Sequence, residues 1–496
     1  MSNPKTPDAV GPVLLLELSD SPGSTLTTRV SSAIRQAVVG GRLTEGARLP
    51  SSRSLAADLG VSRGVVVAAY ALLADEGFLV SRSGSGTRVS EGFPVPSAPT
   101  SAIWSADVPG LVAIDLRPGP PDLGAFPRKA WMRALRNTLS AIPDTELGYV
   151  DPWGTDALRG ALASYLARVR GAEVTAERVV VVNGVTQGLT LLVRVLRAAG
   201  HRHLAVESPS NAVQRGVLSS HGLSMIDVRV DDDGLDVEAL ARTPCRAVLV
   251  TPAHQFPTGT QLSAERRAAL VRWAEAVDGV ILEDDYDSEF RYERLPMACL
   301  QSLAPTRVAL IGSVSKTLAP GLRLGWVVTP PALVDALRAT KRDDDFGGSV
   351  IQQHALADFM TSGEYDGHLR TLRRRYRERR DALRAAAAKY LPEWPIMGVA
   401  AGLHLLIEPP TAVNEAVLVR EAAARGLLIQ GTASMYGTLP PRPGLVLSYA
   451  RGPVSMLSEG TRRLAEAARP APVGAPPLVG RGRRQRHASA TAEDYF

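Results

Sequence analysis

The chain has 496 residues, 45% of them hydrophobic, which is enough for about three domains at roughly 150 residues each. Its formal net charge is +6, from 56 basic and 50 acidic residues, and only five of the basic residues are lysines. Two cysteines without CxxC spacing argue against a disulfide framework and a cysteine-based zinc site. Because no signal segment opens the chain and no run reaches about 18 apolar residues, we expect a soluble cytoplasmic protein outside any membrane.

The first module, residues 13–90, begins with a helical pattern. Its apolar residues recur at helical spacing: Leu26, Val30, Ile34 and Val38. After them, Ser51 or Ser52 can cap a short helix that ends at Gly60. The module is therefore predicted to start with two helices joined by a loop.

A third helix and two strands complete this module. Ser62 can cap a helix over residues 63–76, and the alternating segment FLVSRSGSGTRVS predicts two strands that turn at Gly84 and Gly86. Three helices followed by a β-hairpin are typical of a winged helix-turn-helix. In that fold the start of the third helix enters the DNA major groove and the wing touches the backbone.

Basic and polar residues mark the DNA-facing surface of this module. Arg63 can donate two hydrogen bonds to guanine, and the other arginines can hold phosphates. The predicted DNA-contacting residues are Arg48, Ser52, Arg53, Ser62, Arg63, Arg82, Gly84 and Gly86. A solvated arginine face on a small helical domain is the alternative.

Residues 26–89 resemble the winged helix of GntR-type regulators. The resemblance rests on ARLPSSRSLAADLGVSRGVVVAAYALLADEGFLVSRSGSGTRV and implies double-stranded operator DNA as a partner. Gly64 and Val65 stand where many relatives have a polar residue and a threonine, so the bases that are read do not follow from the resemblance.

Two segments have the composition of unfolded chain. Residues 91–112 are rich in proline, serine and alanine and keep no hydrophobic period, which predicts a flexible linker. Residues 469–496 repeat proline and glycine and carry a basic cluster: Arg481, Arg483, Arg484 and Arg486. We expect this tail to be disordered, because its few large apolar residues cannot offset the entropy of ordering. A phosphate-binding arm is the alternative.

The large module, residues 113–468, alternates helical patterns with five short apolar runs. The runs are RVVVV (178–182), HLAVE (203–207), RAVLV (246–250), GVILED (279–284) and RVALIGS (307–313). Such runs, bounded by turn residues and separated by helices, predict a mainly parallel sheet covered on both faces.

Lys316 follows the last of these runs, in the segment GSVSKTLAPGLRLGWVV. A nucleotide P-loop needs glycine immediately before the lysine and again five residues before that. This chain has Ser315 and Leu310 at those positions, which excludes a P-loop. A lysine with hydroxyls and Arg323 nearby suits pyridoxal 5'-phosphate, whose aldehyde it can bind as a Schiff base. The hydroxyls and the guanidinium can hold the phosphate. An incidental loop lysine is the alternative.

Asp284 and Tyr286 supply the other groups that this cofactor needs. The strand at 279–283 delivers them to its carboxyl end, the edge at which ligands bind in open α/β sheets. A carboxylate keeps the pyridine nitrogen protonated, a role that we assign to Asp284, while Tyr286 can bond the phenolic oxygen. Lys316, Asp284 and Tyr286 are therefore the predicted catalytic residues.

Residues 113–465 resemble a fold-type I aminotransferase domain of class I/II, and its fusion to a GntR-type winged helix resembles the MocR family of transcriptional regulators. The resemblance rests on segments such as LGYVDPWGTDALRGALASYL, TPAHQFPTG, EDDYDSEFRY and SVSKTLAPGLRLGW. It implies a multidomain fold, an α+β winged helix-turn-helix followed by an α/β aminotransferase domain with large and small subdomains. It also implies a head-to-tail, domain-swapped homodimer with the active sites at its interface.

The same resemblance implies the residues that surround the cofactor. The phosphate would meet Val185 (through its N–H), Thr186, Ser313, Ser315, Arg323 and, from the partner subunit, a tyrosine that corresponds to Tyr149. His254 or Gln255 stands near the position of an asparagine beside the ring oxygen, and the choice between them stays open.

Two positions depart from the family pattern. Asn211 stands where relatives usually stack an aromatic ring on the cofactor, and Val446 stands where aminotransferases have an arginine that grips the substrate carboxylate. Arg442 or Arg451 could substitute for that arginine. The loss counts against efficient transamination of an amino acid.

These features predict a transcription factor whose aminotransferase-like domain senses pyridoxal 5'-phosphate, alone or as an adduct with an amine or amino acid, and changes its binding to operator DNA. An active aminotransferase with an attached DNA-binding domain is the alternative.

Overall fold

The computed structural model of the chain describes residues 25–39, 43, 46–82, 86–90, 114–292 and 297–469. Two compact units divide the chain, one within residues 1–107 and one within residues 108–496. The predicted linker at 91–112 lies outside the described residues, and so does the predicted tail beyond Arg469.

The N-terminal unit contains three helices and a two-stranded sheet. They are α1 (Leu26–Val39), α2 (Ser52–Leu59), α3 (Arg63–Asp75), β1 (Leu79–Arg82) and β2 (Gly86–Val89). The two strands pair antiparallel, with Leu79 opposite Val89 and Arg82 opposite Gly86. The helices and strands enclose one apolar core that includes Val30, Ile34, Leu55, Val66 and Leu73. The winged helix-turn-helix order predicted from the sequence is confirmed.

The two serines before α2 and α3 differ in what their side chains do. Ser51 occupies the N-cap of α2, and its hydroxyl accepts a hydrogen bond from the Ser54 N–H at 3.1 Å. Ser62 occupies the N-cap of α3, but its side chain makes no capping hydrogen bond. The predicted N-cap position of Ser62 is therefore confirmed, but its side chain does not bond the first turn of α3.

In the described residues, no single helix is long and apolar enough to span a membrane. The helices α2 and α3 pass the length and composition test only as a pair, and they are bent by 118° with respect to each other.

The large unit contains eleven described helices. They are α4 (Arg128–Ala141), α5 (Asp156–Arg170), α6 (Val185–Ala198), α7 (Ala212–Ser219), α8 (Val237–Ala241), α9 (Ala264–Ala276), α10 (Val334–Asp345), α11 (Val350–Thr361), α12 (Glu364–Tyr390), α13 (Glu415–Ala424) and α14 (Val454–Ala467). Its described strands are β3 (Ile114–Asp115), β4 (Val179–Val182), β5 (His203–Ser208), β6 (Ser224–Asp231), β7 (Gly234–Leu235), β8 (Ala247–Val250), β9 (Val280–Asp284), β10 (Val308–Ser313), β11 (Gly325–Val328), β12 (Ile396–Met397), β13 (His404–Ile407), β14 (Leu427–Leu428), β15 (Gln430–Gly431) and β16 (Leu445–Ser448).

The main sheet has the strand order β4-β11-β10-β9-β8-β5-β6-β7. The strands β10, β9, β8, β5 and β6 run parallel, which confirms the predicted mainly parallel sheet. The strand β11 runs antiparallel to both of its neighbours and is not among the predicted strands. Alternate residues of β4 belong to different apolar clusters, Val179 and Val181 with α5 and α11, Val180 and Val182 with α6. Both faces of the sheet are therefore covered by helices.

A smaller sheet has the order β12-β13-β16-β15. Alternate residues on its two central strands, Leu405, Ile407, Leu445 and Leu447, pack in a core with α12 and α14. Leu406 and Val446 project to the opposite face, where they pack with Met435. The strand β14 pairs separately with β3 in parallel orientation.

The different roles of Ser51 and Ser62 lead to a stability prediction for the N-terminal unit. We expect Ser51→Ala to destabilise α2 by about 1 kcal/mol, because the Ser54 N–H loses its partner. Amide hydrogen exchange of Ser52–Leu59 in the full chain would then rise about fivefold. Ser62→Ala is the matched control. It is expected to change the free energy of opening of α3, read from amide exchange, by less than about 0.5 kcal/mol. Equal effects of the two substitutions would contradict this capping difference.

Candidate functional site

Lys316 lies in the turn after β10, and Asp284 is the last residue of the neighbouring strand β9. Because the two strands are parallel, both residues lie at the carboxyl-terminal edge of the sheet. Lys316 Nζ donates a hydrogen bond to the Gly119 carbonyl oxygen at 2.7 Å. Burial lowers the pKa of the Lys316 amine, although the carboxylates of Asp287 and Asp284 oppose this shift. Burial therefore increases the share of neutral amine, the form that attacks an aldehyde.

The adjacent acids Asp284 and Asp285 have different partners. Asp285 accepts two hydrogen bonds from the Arg170 guanidinium, at 2.7 and 2.9 Å. Asp284 Oδ2 accepts one from Gln214 Nε2 at 3.0 Å, while Asp284 Oδ1 is buried and has no hydrogen-bond partner among the described residues. Burial raises the pKa of Asp284 to about 6. An unpaired buried oxygen is energetically costly, and a protonated ring nitrogen would supply its missing donor. The residues present thus fit the implied cofactor.

Gln214, which the sequence analysis did not single out, is held in place by Asn211. Asn211 is the N-cap of α7, and its side-chain oxygen accepts a hydrogen bond from the Gln214 N–H at 3.1 Å. The N-x-x-Q spacing is typical of a helix start and could have indicated the bond from the Gln214 N–H to Asn211, but not the bond from its side chain to Asp284. The amide at 211 therefore caps the helix that presents Gln214 to Asp284, but it provides no aromatic face.

His254 rather than Gln255 contacts Tyr286. His254 Nδ1 lies 3.1 Å from Tyr286 Oη and 2.9 Å from Asp287 Oδ2. Gln255 Nε2 instead donates to the Pro209 and Phe256 carbonyl oxygens, both at 2.8 Å. Of the two candidates, His254 is therefore the one that contacts Tyr286.

Burial raises the pKa of the Tyr286 hydroxyl well above its ordinary value. Tyr286 therefore stays protonated at physiological pH and can donate a hydrogen bond.

Three buried polar side chains meet beside Tyr286. One ring nitrogen of His254, one of His404 and one carboxylate oxygen of Asp287 lie within 4.8 Å of one another. Asp287 stands in the segment EDDYDSEFRY, but neither Asp287 nor His404 was expected at the site from the sequence.

Backbone N–H groups and the Arg323 guanidinium form a cradle at the start of α6. Gly184 is its N-cap with a φ of 87°, and the Arg323 guanidinium donates to the Asn183 carbonyl oxygen beside it. A Cβ at position 184 would lie 2.9 Å from Arg323 Nη2. The first N–H groups of a helix together with a guanidinium form a favourable phosphate site.

The other predicted phosphate ligands are placed unequally. Ser313 ends β10 and is buried, and its Oγ accepts a hydrogen bond from the Ser315 N–H at 3.3 Å. Thr186 is exposed at the start of α6. Tyr149 is 99% exposed and does not approach these groups within its own chain.

The two arginines considered as carboxylate ligands have other surroundings. Arg442 is exposed. Arg451 donates to Asp115 Oδ2 at 3.2 Å and to the Arg117 carbonyl oxygen at 2.6 Å. Val446 is fully buried in β16.

The N-terminal unit exposes three of the predicted DNA-contacting arginines: Arg48, Arg53 and Arg63. Arg63 lies at the start of α3 and its Nε donates to Ser52 Oγ at 3.3 Å. The Arg48 guanidinium lies over the wing, 3.2 Å from where a Cβ of Gly86 would be. Val67 on α3 is 48% exposed and was not predicted to face DNA. The side chain of Arg82 and all of Gly84 lie outside the described residues.

Each of the two units matches a known protein family. Residues 114–447 match the family of class I and II aminotransferases, and residues 26–89 match the gntR family of bacterial regulatory proteins. The chain is 34% identical over 453 residues to the probable rhizopine catabolism regulatory protein MocR of Rhizobium meliloti, covering 88% of this chain and 92% of that protein. The chain belongs to the MocR-type regulators.

Two further similarities support this membership. The pyridoxine biosynthesis transcriptional regulator PdxR of Corynebacterium glutamicum is 35% identical over 440 residues, covering 88% of this MocR-type chain and 94% of PdxR. The multiple substrate aminotransferase of Thermococcus profundus superposes with a TM-score of 0.68 at 25% identity, covering 73% of this chain and 92% of that structure. The predicted fold class and the predicted function as an HTH-type transcriptional regulator are confirmed.

The contact between Gly184 and Arg323 leads to a prediction for this MocR-type chain. We expect Gly184→Ala to weaken binding of pyridoxal 5'-phosphate by about tenfold or more, because the new methyl group displaces the guanidinium from the cradle. Binding is measured by absorbance titration of the full chain.

Gly200→Ala is the matched control, because Gly200 has a similar φ of 91° but nothing within 4 Å of the new methyl group. Both variants carry the strain of a positive φ, so only a larger loss in Gly184→Ala supports the cradle. A loss of the same size in Gly200→Ala would refute it.

Proposed function

We propose that this regulator senses pyridoxal 5'-phosphate, alone or together with an amine, and changes its binding to double-stranded operator DNA accordingly. The observation that carries the proposal is the unpaired, buried Oδ1 of Asp284, at the same sheet edge as a lysine amine whose pKa burial lowers. A buried acceptor without a donor suits a cationic ring nitrogen. We assign the protein to the cytoplasm, because the family that matches its N-terminal unit consists of bacterial regulatory proteins.

Each residue of the site would have one task. Lys316 would hold the aldehyde of the cofactor, Asp284 its ring nitrogen, and Tyr286 with His254 its phenolic oxygen. The phosphate would be held by the Val185 N–H, Thr186, Ser313, Ser315 and Arg323. When bound, pyridoxal 5'-phosphate supplies an aldehyde that combines with primary amines and a pyridinium ring that withdraws electrons. Asn211 supports this site as a helix cap for Gln214 rather than as a stacking partner.

We also propose a head-to-tail homodimer. Four large apolar side chains within residues 132–149 are more than half exposed in the single chain and support it: Met132, Leu139, Leu147 and Tyr149. Contiguous exposed apolar surface marks protein interfaces. A dimer would present two winged helices to two half-sites, and a shift in their spacing would change operator affinity.

An active aminotransferase is the second candidate, because the site retains Lys316, Asp284 and Tyr286. Val446 counts against efficient turnover, since no arginine stands at that position to bind the substrate carboxylate. Incubation of the full chain with a panel of amino acids and 2-oxoglutarate distinguishes the two. Turnover at ordinary enzyme rates would favour the aminotransferase over the sensor.

The role of Lys316 is tested by cofactor absorbance. We expect the full chain mixed with pyridoxal 5'-phosphate to show a visible absorbance band that Lys316→Ala lacks, because only an amine can combine with the aldehyde. Lys389→Ala removes an exposed lysine and is expected to keep the band. An unchanged spectrum in Lys316→Ala would rule out this lysine.

The role of Arg63 is tested on duplexes that the protein retains from a randomised DNA pool. We expect Arg63→Ala to weaken binding to these duplexes by about 1–3 kcal/mol, or roughly 5- to 150-fold, because a bidentate contact to guanine is lost. Cofactor absorbance should not change. Arg35→Ala removes the same charge from α1, where Arg35 pairs with Glu76, and serves as the control. Equal losses in the two variants would mean that Arg63 reads no base.

A further inference from the structure

The small sheet presents one of its faces toward the candidate cofactor site. His404 and Leu406 are two residues apart on β13 and therefore project to the same side. In the antiparallel pairing, His404 lies opposite Ser448 and Leu406 lies opposite Val446. Directly opposed residues share a face, so Val446 projects to the same side as His404.

Ring contacts connect this face to the site. The His404 ring lies 5.0 Å from the His254 ring, and His254 Nδ1 in turn contacts Tyr286 Oη. The Phe256 ring lies 5.2 Å from His404 and 6.3 Å from Tyr286. Phe256 also packs against the cluster that contains Val446. A longer side chain at position 446 would thus start from the face that lies toward the site.

The row of residues that crosses this face carries no formal charge. In sheet order the row consists of Met397, Leu406, Val446 and Gln430. Met435 covers Leu406 and Val446. The amide of Gln430 is the single polar side chain in the row, and it can hydrogen bond but cannot neutralise a carboxylate.

Two nearby arginines, Arg215 and Arg451, are already engaged within the described residues, and Arg442 is exposed to solvent. Arg215 pairs with Asp227 at 2.5 Å, and Arg451 donates to Asp115 and to the Arg117 carbonyl oxygen. Arg451 Nε is buried without a hydrogen-bond partner in the described part of the chain, which makes Arg451 the competing candidate for a carboxylate contact. This face therefore supplies no cation to a ligand bound beside the cofactor site, and a carboxylate buried there would lose its hydration without gaining an ion pair.

We propose that the second ligand of this site is a primary amine whose remaining part is uncharged, and that Val446 is the residue that selects it over an α-amino acid. The proposal rests on the proposed function, since the amine would bind beside the cofactor. Exchange of the ligand amine for the Lys316 amine at the aldehyde carbon releases the lysine side chain and needs no oxidant or water. Amino acids would then be poor effectors because of their carboxylate.

The test compares n-butylamine with L-norvaline, which is the same amine with a carboxylate added. The full chain loaded with pyridoxal 5'-phosphate is titrated with each, and half-saturation is read from the absorbance change and divided by that for free cofactor in solution. We expect a preference for n-butylamine of about tenfold or more. Equal half-saturation, a preference for L-norvaline, or no response to either amine would overturn the proposal.

Variants separate Val446 from Arg451. Val446→Arg is expected to shift the preference toward L-norvaline by about tenfold, whereas Val446→Leu, a packing control, should leave it unchanged. If Val446→Arg fails to fold, the comparison on the parent chain still decides the ligand class. Binding of L-norvaline by the parent that is lost in Arg451→Gln would assign the carboxylate to Arg451 and overturn the proposal.

The same titration tests cofactor binding and ligand preference independently. A parent chain that shows no cofactor band refutes the proposed function itself. A parent chain with a normal band that prefers L-norvaline refutes only the ligand class and leaves cofactor sensing in place.

Discussion

The candidate site depends on the different partners of two adjacent carboxylates at the end of β9, Asp284 and Asp285. Asp285 is satisfied by the Arg170 guanidinium of α5, whereas Asp284 receives one hydrogen bond from Gln214 and keeps one buried oxygen without a partner. Burial of the Asp284 carboxylate costs free energy because the charged form loses its hydration, and the pKa of Asp284 is raised for the same reason. The neighbouring parallel strand then brings Lys316 to the same edge, so a cationic ring with an aldehyde would satisfy both groups together.

Arginine and lysine have different tasks in this chain. Buried arginines form the structural ion pairs, as Arg170 does with Asp285 and Arg159 does with Asp156. The buried Lys341 is likewise engaged, by Asp345. Lys316 has a carbonyl oxygen as its hydrogen-bond partner instead of a carboxylate. Because arginine is almost always protonated, an amine that must lose its proton to react requires lysine at this position.

Local sequence patterns were sufficient to predict the main helices and strands and part of the candidate site. The five apolar runs became β4, β5, β8, β9 and β10 because strands buried on both faces need continuous apolar sequence. The spacing of Asp284, Tyr286 and Lys316 relative to these strands predicted their common edge. Three contacts could not be predicted in this way: the bond from Gln214 to Asp284, the ring contact of His404 with His254, and the bond between His254 and Tyr286. Each joins residues that are distant in sequence, so only the packing of the large unit brings them together.

The sequence by itself determined the order of two units, the winged helix-turn-helix, the parallel sheet and the lysine suited to an aldehyde, because periodicity and residue chemistry are local properties. The tertiary structure decided which of two neighbours makes each contact. The Arg170 guanidinium pairs with Asp285 and not with Asp284, His254 and not Gln255 contacts Tyr286, and Ser51 and not Ser52 is the N-cap of α2. It also turned Val446 to the face that lies toward the site, since strand pairing and not composition sets the side to which a residue projects.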